Sequence, residues 1–223
     1  MKALTVNQKI VFDWAYFFHW ASMEDFVRAI APDKKRVGGV EYSLKRLVEK
    51  RKLKARKVRG YGNKLFYSVV GSQKVDDYSI THGLYCTDAL LRFHESKVGD
   101  YVSEREFRAK RFKPVPEFAV RYGEVAILFE YSTANNFKRK KLIEKKLQAY
   151  KEGMGKFERE LSAKPILVYV IEAPEWEVDK LAARYERNDF FFCDSRMFYS
   201  TPTGEQLSKP IYTWRGEKVN LYA

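Results

Sequence analysis

Residues 164–173 read KPILVYVIEA, a nearly unbroken apolar run rich in β-branched side chains. A strand with one wet face alternates apolar with polar, so a run without alternation predicts a strand buried on both faces. A chain of 223 residues is long enough to supply the covering layers. Around this run the segments alternate in type. PEWEVDKLAARYE (174–186) follows with helical spacing, and DFFFCDSRMFY (189–199) is a second apolar strand. Before it, NFKRKKLIEKKLQAYKEGMGKF (136–157) predicts a basic helix with Leu142, Ile143, Leu147 and Tyr150 on its covered side. PVPEFAVRYGEVAILFEYST (114–133) reads as two strands joined by a tight turn, and DYVSEREFRAKRFK (100–113) alternates weakly. HGLYCTDALLRFHESK (82–97) is an amphipathic helix, with Leu84, Leu91 and Val98 seven residues apart. The order helix, three strands, helix, strand, helix, strand predicts an α/β domain on a mixed sheet over residues 80–223.

The N-terminal part has a different character. NQKIVFDWAYFFHW (7–20) carries apolar residues at helical spacing, and SMEDFVRAIA (22–31) opens a second helix with acids in its first turn. In RVGGVEYSLKRLVEKRKL (36–53), Val37, Val40, Leu44, Leu47 and Val48 form one stripe. KARKVRGYGNKLFYSVV (54–70) then predicts a hairpin turning at Gly62-Asn63. Three helices and a basic hairpin make a winged helix-turn-helix over residues 1–72, with GSQKVDDYSITHG (71–83) as the connector. The third helix resembles the recognition helix of that family, whose exposed side enters the major groove. Tyr42, Lys45, Arg46 and Lys50 lie on that side, Arg36 at its entrance, and Arg59, Tyr61 and Lys64 at the tip of the wing.

Charge says what such a surface would meet. The chain holds 42 Lys+Arg against 29 Asp+Glu, a net charge of +13. Residues 34–64 alone hold thirteen Lys/Arg and two acids, a net +11. Clustering of that kind favours double-stranded DNA as the partner over a solvated basic face. The aromatic density of the first helix (Phe12, Trp14, Tyr16, Phe17, Phe18, Trp20) exceeds the needs of one core stripe. That excess leaves room for a homodimer seam or for an adaptor role with a replication or transcription protein.

Other chemistries lack their residues. Cys86 and Cys193 form no C-x-x-C pair, and His19, His82 and His94 have no metal-ligand spacing. No phosphate-binding G-x-x-x-x-G-K, dinucleotide G-x-G-x-x-G or nucleophile G-x-S-x-G occurs. VFDWAYFFHW is broken by Asp13 and His19 and so is no secretory leader, and no run reaches the roughly 18 apolar residues of a membrane span. The expectation is a cytoplasmic protein with no membrane partner.

HGLYCTDALLRF, SEREF, PVPEFAVRYG, ILFEYST and KKLQAY, in that order behind a winged helix, resemble the replication-relaxation protein family of bacterial plasmids and mobile elements. That resemblance implies a PD-(D/E)XK restriction-endonuclease-like second domain and DNA binding in plasmid replication, relaxation or transcriptional control. Carried onto this chain, Glu117 behind Pro116 stands at the position of the first metal-holding acid, and Glu130 at that of the second. The lysine expected two residues on is replaced by Ser132, and Lys146, or Lys141, on the following helix is the substitute. Glu95 or Glu106 is a further carboxylate candidate. Two outcomes stay open. Glu117 and Glu130 hold Mg²⁺ for a DNA nuclease or nickase, or they are remnants on a binding scaffold that uses no cofactor. A buried Glu130 needs water, a metal or a lysine beside it, and a Glu130–lysine pair would meet that need without catalysis.

Overall fold

The computed structural model describes residues 3–30, 37–71, 76–95, 100–185, 189–195, 198, 211–212 and 218–219. The chain divides into two compact units, Met1–Glu95 and Ser96–Ala223, on a mixed α and β architecture.

The first unit runs α1 (Val6–Phe17), β1 (Ala21–Ser22), α2 (Met23–Ile30), α3 (Val37–Glu49), β2 (Leu53–Lys57), β3 (Leu65–Val69) and α4 (Asp77–Glu95). Thr5 and Gln8 cap the start of α1 reciprocally. At α2, Asp25 Oδ2 accepts from the Ser22 N–H at 2.8 Å and from its hydroxyl at 2.9 Å. Helix α3 buries Val40, Ser43, Leu44 and Leu47, as its apolar stripe requires. It ends in a Schellman turn: Lys52 N–H donates to Leu47 O, Arg51 N–H to Val48 O, and Arg51 takes φ 54°. The sheet order is β1-β3-β2, antiparallel throughout.

Two expectations are corrected here. Strands β2 and β3 pair from Leu53↔Val69 to Lys57↔Leu65, so residues 58–64 form a longer loop than a Gly62-Asn63 turn. Its positive-φ residues are Gly60 and Gly62, and Tyr61 N–H and Lys64 N–H close two successive turns onto Val58 O and Tyr61 O. Helix α4, assigned by sequence to the second domain from residue 80, groups with the first unit. Ile80 and Leu84 pack on Trp20, Val58 and Phe66, and the Thr87 hydroxyl donates to Trp20 O at 2.9 Å. Asp88 receives both Arg28, from α2, and Arg92 at 2.8 Å. Gly83 permits this approach, since a Cβ there would lie 2.9 Å from His19 Cβ and 3.0 Å from Trp20 Cδ1.

The second unit runs β4 (Asp100–Ser103), α5 (Glu104–Ala109), β5 (Phe118–Tyr122), β6 (Val125–Ser132), α6 (Ala134–Phe137), α7 (Lys140–Leu161), β7 (Lys164–Ile171), α8 (Glu175–Arg184) and β8 (Phe190–Asp194). Two short strands, β9 (Ile211–Tyr212) and β10 (Lys218–Val219), pair antiparallel. The main sheet has the order β4-β5-β6-β7-β8. The first three strands are antiparallel, and β6-β7 and β7-β8 are parallel, joined through α7 and α8. On one face, Ile143, Leu147, Tyr150, Met154 and Phe157 of α7 cluster with Leu128, Leu167, Tyr169 and Phe192. Residues 165–171 are all buried, so β7 is covered on both faces. Leu142 does not join this packing; it is 54% exposed. By rotation it lies about 100° from Ile143 around the helix, and α7's covered stripe is narrower than the sequence pattern implies.

Candidate functional site

The hairpin brings the two acids within electrostatic reach of each other. Phe118 of β5 pairs with Phe129 of β6, and Glu117, one residue ahead of β5, donates its N–H to the same Phe129 O at 3.0 Å, next to Glu130 in β6. The β6-β7 register sets Glu130 beside Tyr169 of β7. Glu130 is 0% exposed, at the end of the apolar stretch Val125–Phe129. Its solvent is replaced by α7, where Lys146 and Tyr150 stand one turn apart. Lys146 Nζ donates to Oε2, and the Tyr150 hydroxyl to Oε1.

Burial pushes the Glu130 carboxyl up to about 7; Lys146 opposes that rise and the neighbouring Glu117 adds to it. Burial alone would lower Lys146, yet Glu130 and Glu117 hold it above its ordinary range. Tyr150 is raised well above the phenol range, first by burial and then by Glu130. Tyr169 goes to about 12 for the same two reasons. These five side chains form one electrostatic unit. Sequence reasoning missed Tyr150, which it set among the apolar residues; its i, i+4 spacing from Lys146 was the available signal.

The remaining carboxylate candidates go elsewhere. Glu106 accepts from the Ser103 N–H at 2.7 Å and hydroxyl at 2.8 Å, a capping box that starts α5 inside a segment expected to be strand only. The Glu95 side chain lies outside the described residues. Glu104, which accepts from Arg108, has a carboxylate oxygen within 4.8 Å of one on Glu117. Ser132 is buried, and Lys141 is exposed on α7.

Carboxylate oxygens on adjacent strands are the donors Mg²⁺ prefers. The geometry does not fit that use as it stands. Both oxygens of Glu130 are already taken by hydrogen bonds, and the group is sealed from solvent. A hard cation would have to displace Tyr150 and Lys146 and keep a buried carboxylate fully ionised. The arrangement suits a pin between β6 and α7.

The basic residues of the first unit divide by what holds them. Tyr42 is 59% exposed on α3, with the Arg46 guanidinium 5.9 Å from its ring centre. Arg46 pairs with Glu49 at 2.6 Å. Lys45 on α3 and Arg59 in the β2–β3 loop are exposed. Tyr61 stacks edge-on against Phe66 at 5.3 Å, which fixes the loop, and Lys64 pairs with Glu24 at 3.3 Å. Lys50 is drawn back onto α1, donating to Gln8 Oε1 at 2.9 Å. Arg36 lies outside the described residues. Comparison with protein-family models, curated proteins and solved structures finds no match.

Proposed function

We propose that this chain is a double-stranded-DNA-binding protein: a winged-helix reader joined to an endonuclease-like domain that serves as scaffold. It would act in replication, relaxation or transcriptional control of a plasmid or mobile element, as the sequence resemblance implies. The observation that carries the binding half is the exposed row on α3 and the following loop, where Tyr42, Lys45, Arg46 and Arg59 reach solvent while the opposite side of α3 is core. Cations in that arrangement neutralise phosphates and release counterions, and an arginine or tyrosine at the helix surface can meet base edges. The scaffold half rests on Glu130, whose hydrogen-bonding capacity is spent on Tyr150 and Lys146. The test is duplex affinity at fixed salt for the Lys45→Ala, Arg46→Ala double variant. The reading expects weaker binding by roughly 1–3 kcal/mol for each side chain that had met a base edge. Unchanged affinity would remove α3 from the interface.

One observation favours a second reading, a Mg²⁺-dependent nuclease: Glu117, Glu130 and Lys146 meet at one end of the β5-β6 pair. Metal-dependent nicking of plasmid DNA, abolished in Glu130→Gln, would establish it.

A further inference from the structure

The N-terminal end of α7 and the turn before it carry a dense positive charge that the fold does not use. Lys138, Arg139, Lys140, Lys141 and Lys145 are all exposed. Lys146 is spoken for by Glu130, and the one acid of the stretch, Glu144, is engaged by Arg184 from α8. None of the five exposed cations makes an ion pair with a described residue. The helix gains nothing from them either. Its first turn holds no acid, and Arg139 at the N-cap position makes no side-chain cap bond. Cations at the positive end of a helix dipole cost stability, so their concentration here works against the local fold.

We infer that this patch of the second unit is a second nucleic-acid contact, which grips the phosphodiester backbone without reading sequence. The chemistry favours phosphate over an acidic protein segment. Four of the five are lysines, point charges suited to backbone oxygens and lacking the rigid fork that reads guanine. Leu142 is the only exposed large apolar side chain among them, too little for the apolar anchor of a protein interface. The inference shares with the proposed function only its ligand class, and it stands or falls on different residues.

The experiment uses the full chain and a labelled duplex, with affinity measured across a potassium chloride series. Lys140→Ala, Lys141→Ala, Lys145→Ala is compared with the corresponding triple arginine variant and with Lys138→Ala, Arg139→Ala, which lies outside the helix body. Counterion release gives a slope of about 0.9 per phosphate neutralised. The triple alanine variant is therefore expected to lower the slope by about 2–3, equally for unrelated sequences, and the arginine variant to retain it. An unchanged slope in both alanine variants, with circular dichroism showing them folded, overturns the inference. So does a loss confined to binding of a polyglutamate peptide, which would assign the patch to a protein partner. A Lys45→Ala, Arg59→Ala variant separates the two claims. Weakening by α7 substitutions alone would refute the winged-helix reading and keep this one; weakening by the first-unit substitutions alone would do the reverse.

Discussion

Lys146 and Glu130 form an ion pair in which the acid is wholly buried and the lysine is a third exposed. The pair joins a helix to a strand sixteen positions away in sequence, and Tyr150 completes it from the next turn. Several consequences can be measured.

The first is a pH dependence. The folded carboxyl at about 7 lies above its ordinary 4.5, so the folded chain binds this proton more tightly than the unfolded chain. Glu130 therefore contributes stability that is fully present below about pH 4.5 and is lost as pH rises through 7. Urea unfolding of wild type and Glu130→Gln at pH 5 and pH 8 should show wild type losing more on going to pH 8, by on the order of 1–3 kcal/mol. Parallel pH profiles would mean that burial does not raise the Glu130 carboxyl above its ordinary range.

Removal of the lysine gives the complementary result. Lys146→Ala leaves a buried carboxylate with Tyr150 as its remaining donor. Breaking a buried pair costs roughly 3–5 kcal/mol, and the partial exposure of Lys146 brings the expectation to about 2–3 at pH 8. At pH 5, where Glu130 is protonated, the cost should shrink. A penalty independent of pH would point to disrupted packing of the lysine stem instead.

Gly83 tests the grouping of α4 with the first unit. A methyl group there meets His19 Cβ and Trp20 Cδ1 at about 3 Å, both held in the core. Overpacking at such a point costs typically 1–3 kcal/mol, which should exceed the gain in helix propensity. Gly83→Ala should lower the melting temperature, whereas a neutral or stabilising effect would show that α4 stands off from β1.

Arg51 closes α3 with φ 54°, a conformation that strains a residue bearing Cβ. Arg51→Gly should stabilise the chain by about 0.5–1 kcal/mol, once the entropy of glycine in the unfolded chain is set against the relieved strain. A loss in chemical denaturation would mean that the arginine side chain contributes more than its backbone costs.

The sequence showed some of these features and hid others for physical reasons. The two-faced burial of β7 was legible because an unbroken apolar run leaves a strand no wet side. The pairing of β5 with β6 followed from a short connection around Gly123, which leaves little freedom in register. The partnership of α4 was not legible, since an apolar stripe names a buried face and not what covers it. Glu106 stands out in the sequence as a further carboxylate candidate because its capping role depends on a helix start that weak alternation masks. The bond from Lys50 to Gln8, 42 residues away, has no signal in the local pattern of the basic face.

The most direct test is incubation of the full chain with supercoiled plasmid at low salt, with and without Mg²⁺ or Mn²⁺, alongside Glu130→Gln. The account predicts slowed migration of the DNA, the same in both proteins, with no nicked or linear product under any condition. Absence of retardation, or metal-dependent nicking that Glu130→Gln abolishes, would contradict it.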